Sequence, residues 1–226
     1  MKRLGIAFSG GPTASEIVDC VRLAEDLGYE SAWIAEGHGG DQFSILSGCA
    51  AATSEIKLGT AISSVFVRSA PTLAMAAATV DELSKGRLIL GLGSSHKVQV
   101  VPEHGIEYSK PILRLTETVK IIRELITTGS VEFDGETIKI EKFDLWFKPR
   151  RPQIPIYLAG LFPKMVMTCG EIADGIILTR STLKTADEIQ PHLITGSTSA
   201  GKNPKNIDIT SLLPTCLLYT SPSPRD

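Results

Sequence analysis

Three short stretches of this chain carry side chains of the kind that move protons or hold anions. Glu36, in Ala35-Glu36-Gly37-His38-Gly39-Gly40-Asp41, can hold a proton or bond the edge of a flat ring; it can equally be a solvated or helix-capping carboxylate. His96, in Gly93-Ser94-Ser95-His96-Lys97, is of the residue type suited to general acid or base work. The plain alternative is a surface loop histidine beside Lys97. Thr179-Arg180-Ser181 offers hydroxyls, a guanidinium and backbone N–H groups to a phosphate, or is an ordinary helix start with an arginine in it. His104 and His192 receive no role. No HExxH and no Cys/His set with metal spacing occurs, and there is no GxSxG elbow, so metal and serine hydrolysis are weak readings.

Such groups act only where elements bring them together. Seven strand-like runs are expected at Leu4–Phe8, Ser31–Ala35, Lys57–Ser63, Arg87–Leu92, Ile154–Ala159, Gly175–Thr179 and Ile207–Leu213. Helical patterns lie between them. Ile17, Val18, Val21, Ala24 and Leu27 share a face, with Thr13 and Glu16 as a capping box and Gly28 as the stop. Further helices are expected at Phe43–Thr53, Thr72–Leu83, Ile112–Thr127 (closed by Gly129), Lys164–Ala173 and Lys184–Ser199. The long interval after the fourth strand holds Asp134-Gly135 between two strand-like runs, an inserted hairpin at about 130–141. Residues 97–111 read as a loop.

This βα repetition, with no Gly-rich dinucleotide turn after the first strand, predicts an α/β fold of the (β/α)₈ TIM-barrel type with about its last βα unit missing. A doubly wound sheet is the alternative. In a barrel the chemistry gathers at the C-terminal strand ends, which here are rich in Gly and Ser.

The composition sets bounds. The chain has 226 residues, 23 basic and 25 acidic side chains and 42% apolar content. That balance argues against a nucleic-acid binder and against a disordered chain. No apolar run is long enough to span a membrane, and the apolar start stops at Ser9-Gly10-Gly11-Pro12, too short for a signal core. Cys20, Cys49, Cys169 and Cys216 lie far apart and read as free thiols of a cytoplasmic protein. The last eleven residues, Cys216 to Asp226, back-translate in one frame to the transposon-end adapter of short-read sequencing libraries. They are therefore read as foreign, with the domain itself over residues 1–215.

On these elements, Ala78-Thr79-Val80-Asp81-Glu82-Leu83-Ser84-Lys85-Gly86-Arg87-Leu88-Ile89-Leu90-Gly91-Leu92-Gly93 closely resembles the signature of the bacterial-luciferase-like superfamily. Ile56–Thr60 with Val67–Pro71, Pro155–Gly160 and Gly170–Gly175 fit neighbouring units in the right order. Ala24–Ile34 and Gly170–Gly175 are similar to the deazaflavin-dependent oxidoreductase branch, in particular the methylenetetrahydromethanopterin reductases.

The resemblance implies coenzyme F420 in the barrel mouth, exchanging hydride with a small organic substrate. It implies a non-prolyl cis peptide at Ala61–Ile62 bulging against the ring, with Ser64 following on the cofactor side. Glu36 would close the second strand beside the ring. Ser94 and Ser95 would line it, with His96 as proton donor, and Ala159 and Gly160 would offer a backbone contact. Thr179, Arg180 and Ser181 would be the phosphate site. Three departures stand out: Gly37 intervenes before His38, His96 takes a position that holds glutamate in some relatives, and Ala7 stands where the reductases carry a carboxylate. The last implies a different substrate. An FMN-dependent monooxygenase using reduced flavin and oxygen is the alternative, and a cofactor binder without turnover a second one. A homodimer is expected at full length.

Overall fold

Strand β1 (Gly5–Phe8) leads into helix α1 (Ala14–Asp26), where Thr13 and Glu16 form the expected reciprocal box: the Thr13 N–H donates to the Glu16 carboxylate at 2.7 Å. Leu27 closes α1, and Gly28 follows at φ 78°, the left-handed stop that glycine adopts without strain. Then come β2 (Ser31–Ile34), α2 (Gln42–Ala52), β3 (Lys57–Thr60), β4 (Ser63–Ser64), α3 (Ala70–Leu83) and β5 (Leu88–Gly93). Helices α4 (Lys97–His104) and α5 (Pro111–Thr128) precede a hairpin of β6 (Ser130–Asp134) and β7 (Lys139–Asp144). The chain returns through β8 (Ile156–Ala159), α6 (Pro163–Ile172), β9 (Gly175–Thr179), α7 (Leu183–Ser199) and β10 (Asp208–Leu212). The computed structural model describes residues 3–215, so the reading of residues 216–226 as foreign falls outside the described residues.

Strand order follows chain order, β1-β2-β3-β5-β8-β9-β10, and every neighbouring pair is parallel. A doubly wound sheet would reverse order at a switch point; a barrel does not. The apolar residues divide accordingly. The larger cluster lies where strands meet helices, while Trp33, Ala61, Ile89, Tyr157 and Ile177 form a separate interior cluster. The barrel is nearly closed. Among the described residues β1 and β10 each pair on one side only, and Arg3 spans the gap. Its guanidinium donates to both Asp208 oxygens at 2.6 and 2.8 Å and to Glu30 at 2.9 Å.

The Ala78–Gly93 stretch acts mainly at the barrel end away from the mouth. Arg87 donates to the carbonyls of Ala50, Thr53, Ile56 and Ser84 at 2.7–3.1 Å. Asp81, 1% exposed, accepts two bonds from Arg151. These residues knit α2, α3 and β5 together; they report the fold rather than its chemistry.

One expectation needs correction here. The 97–111 segment is not all loop: α4 occupies Lys97–His104, so His104 ends a helix. This helix buries only Val100 and contains Pro102, leaving no apolar stripe to read. The hairpin pairs Ser130–Asp134 with Lys139–Asp144, and beyond the Asp134–Lys139 pair the Gly135 N–H donates to the Ile138 carbonyl at 2.9 Å, leaving Glu136 and Thr137 at the turn. Gly135 is needed for close approach: a Cβ there would lie 2.7 Å from the Glu117 carboxyl.

Candidate active site

The C-terminal strand ends form the mouth, and the interior cluster forms its floor, with the Trp33 and Tyr157 rings 6.0 Å apart. The β3–β4 segment rises above that floor. Leu58 pairs with Leu88 and Ser63 with Leu92, so five steps of this segment span four of β5. The extra residue makes a bulge. At its apex Ile62 has φ 92°, a region a β-branched side chain rarely enters, at a cost on the order of 1–3 kcal/mol.

No peptide bond among the described residues is cis, so the Ala61–Ile62 bond is trans, contrary to the expectation from the resemblance. The chain turns instead through the Ile62 backbone angle. The Ile62 side chain packs on the interior cluster and against Gly93, where a Cβ would lie 3.1 Å from Ile62 Cδ1.

Glu36 stands at the end of β2, but it is not free. Its carboxylate accepts the Ser64 N–H at 2.6 Å and Arg68 Nε, with its side chain 16% exposed. Arg68 also donates to Asp41 at 2.5 Å and lies over the Phe43 ring. Burial works against the Asp41 charge, but bonds from Arg68 and from the Ser44 N–H and hydroxyl outweigh it and hold the carboxyl at about 2. For Arg68 too, burial disfavours the charged form, and the two carboxylates more than restore it, so its pKa is raised. Glu36 thus braces the bulge at Ser64.

Gln42, fully buried, bonds the other side: its Nε2 donates to the carbonyls of Ile34 and Ile62, and its Oε1 accepts from the Ser63 hydroxyl. Sequence reasoning missed Gln42 and Arg68. A glutamine opening a helix carries no mark of burial, and Arg68 stood out only as part of a motif.

Past β5, Ser94 and Ser95 are half-buried, and Ser95 sits at φ 55°. Its carbonyl accepts from the Tyr108 hydroxyl at 3.4 Å, and Tyr108 stacks on Phe66. His96 occupies the N-cap of α4, exposed, and its side chain caps nothing. Nearby, His38 meets Glu103 at 3.1 Å, joining the loop after β2 to α4. Ala159 ends β8, and Gly160 is buried against Cys169.

At the end of β9, Thr179 and Arg180 are exposed, and Arg180 adopts φ 53° while its N–H donates to the Leu212 carbonyl. Ser181 bonds Ser211, and it is Thr182 that caps α7 by accepting the Thr185 N–H at 3.2 Å. The structure therefore joins Glu36, Ala61, Ile62 and Ser64 in one bonded cluster. His96 and Thr179–Ser181 share the rim without a direct bond to it. Among the described residues no group of three His, Cys, Asp or Glu could hold a metal ion.

Residues 3–221 match the family model described as luciferase-like monooxygenase. The chain is 34% identical over 202 residues to 5,10-methylenetetrahydromethanopterin reductase of Archaeoglobus fulgidus, covering 89% of this chain and 60% of that protein. It is 28% identical over 210 residues to F420-dependent glucose-6-phosphate dehydrogenase of Amycolatopsis mediterranei, covering 86% and 63%. The solved structure of coenzyme F420 dependent tetrahydromethanopterin reductase from Methanopyrus kandleri superposes with TM-score 0.87 at 27% identity, over 92% of this chain and 65% of that one. The chain thus spans less than two thirds of the length of these relatives.

Proposed function

The chain belongs to the luciferase-like monooxygenase family, and from that premise we propose that it transfers a hydride between the deazaflavin coenzyme F420 and a small organic substrate. The observation that carries this reading is the Ile62 bulge at the barrel mouth, in a chain whose relatives are named for F420. The residues present fit such a group. Ile62, backed by Gly93 and the interior cluster, offers an apolar ridge on which a flat ring can lie. The exposed Arg180 beside the start of α7, with Thr179 and Ser181, suits a phosphate-bearing tail. The cofactor, when bound, supplies the hydride chemistry; the protein supplies position and surroundings.

The chain's own groups divide that work. Glu36, tied to Ser64 and Arg68, keeps the bulge in place rather than touching the substrate. Ser94 and Ser95 line the opening at the end of β5. His96 is exposed, its imidazole does not cap α4, and it would give a proton to the substrate. No role in turnover is proposed for the buried thiols, since burial pushes Cys49 up to about 11 and Cys169 up to about 12.

Equilibrium binding of F420 and FMN, followed by fluorescence quenching, tests the proposal. Tight F420 binding with weak FMN binding is the expected result. Preference for FMN would overturn it in favour of a flavin monooxygenase, with oxygen uptake as the next assay. Binding of F420 that no reductant or substrate bleaches would leave a cofactor binder without turnover.

A further inference from the structure

We propose that Gln42 is a positioning residue whose buried amide clamps the Ile62 bulge in the shape that the cofactor ring meets. What the bulge faces rests on the function proposed above; what holds the bulge rests on side-chain geometry alone. A β-branched residue at φ 92° persists only where its surroundings enforce it. Here two side chains hold three consecutive residues. Gln42 Nε2 donates to the Ile62 carbonyl at 3.0 Å, Gln42 Oε1 accepts from the Ser63 hydroxyl, and Glu36 accepts the Ser64 N–H at 2.6 Å.

The same Gln42 nitrogen donates to the Ile34 carbonyl at 2.6 Å, and that carbonyl also accepts the Ala61 N–H at 2.7 Å. The end of β2, the bulge apex and Ser63 therefore meet at one amide, on a residue that is wholly buried, and Ala61 joins them through the shared Ile34 carbonyl. Gln42 is itself fixed as the first residue of α2, whose N-cap Asp41 is tied to Arg68. The clamp thus stands on a helix rather than on a loop, which gives it precision. Its bonds to the Ile34 carbonyl and the Ser63 hydroxyl are buried and that to the Ile62 carbonyl is partly so, and an unmade bond costs most where water is excluded.

The test uses Gln42→Met and Ile62→Gly, singly and together. In the unliganded chain, Gln42→Met should speed hydrogen exchange of the Ser64 amide about tenfold, the scale of one buried hydrogen bond. An unchanged Ser64 rate would overturn the clamp. In F420 titrations, Gln42→Met should raise the dissociation constant about tenfold or more. Glycine adopts positive φ unaided, so in the Ile62→Gly background Gln42→Met should add clearly less than it does alone. Strictly additive effects would also overturn the clamp, because Gln42 would then be an ordinary structural residue.

Should Gln42→Met fail to fold, Ser63→Ala removes one of the three bonds with little change of volume. It should move the Ser64 rate in the same direction by a smaller factor, and no movement would sink the idea. A chain that binds neither F420 nor FMN refutes the proposed function, and the exchange measurement on the unliganded chain then decides the clamp by itself.

Discussion

Glu36 stands at the mouth already bonded to its neighbours. Its carboxylate accepts the Ser64 N–H and Arg68 Nε, and on the function proposed above its part is to shape the mouth. Arg68 couples it to Asp41, whose carboxyl is held at about 2 against an ordinary 3.8. A group depressed in the folded state adds stability that is present above its unfolded value and lost as pH falls through the folded one. Melting temperatures should therefore show a stability loss between about pH 4 and pH 2 that Asp41→Asn removes. Asparagine is a sound N-cap, so that variant keeps the start of α2 while deleting the charge. An identical acid profile in the variant would show that Asp41 contributes nothing there. With its side chain 45% exposed, the effect is small, and the shape of the profile is the readout.

Helix α4 and the hairpin are the two insertions that a plain βα repeat does not contain. The His38–Glu103 contact draws α4 toward the loop after β2, so one wall of the mouth is helical. The hairpin is docked by Glu117 of α5, whose carboxylate accepts the N–H groups of Glu136, Thr137 and Ile138 and the Thr137 hydroxyl. Burial opposes the charge of Glu117, yet these four donors outweigh it and lower its pKa. Glu117→Ala should free the turn. The expected outcome is exchange at the 136–138 amides faster by about tenfold or more, read by mass spectrometry, as bonds to a buried charge are lost. Unchanged protection would mean that the strand pairing alone holds the hairpin.

Among the described residues the barrel has one seam, between β1 and β10, and the contacts across it are polar. Arg3 reaches from the β1 side to Asp208 and Glu30, while the Tyr157 hydroxyl donates to Asp208 at 2.6 Å. The Asp208 bond to Arg3 leads the effects that keep its pKa low, with burial opposing, and burial is the main effect that raises Tyr157 beyond its ordinary range. Arg3→Ala should lower stability by about 1 kcal/mol or less, as exposed ion-pair networks do, while speeding exchange in β1 and β10 more than in β3 or β5. Uniform acceleration would show that the seam is not tied by this contact.

The seven strands, six of the seven helices and the hairpin were legible because each follows from patterns a few residues long: apolar runs, 3.6-residue spacing, caps and turn signals. The Ala78–Gly93 stretch was legible for a related reason. Arg87 and Asp81 hold one end of the barrel together, which ties those residue types to the fold. Helix α4 escaped because it buries a single residue. The site was legible as a set of strand ends and not as a set of contacts. That Glu36 turns to Ser64, that Gln42 is buried, and that Ile62 takes a positive φ on a trans peptide all depend on residues 20 to 32 positions apart meeting at the mouth. Local propensity carries no record of such meetings; only the closing of the sheet around its interior brings these groups within bonding distance.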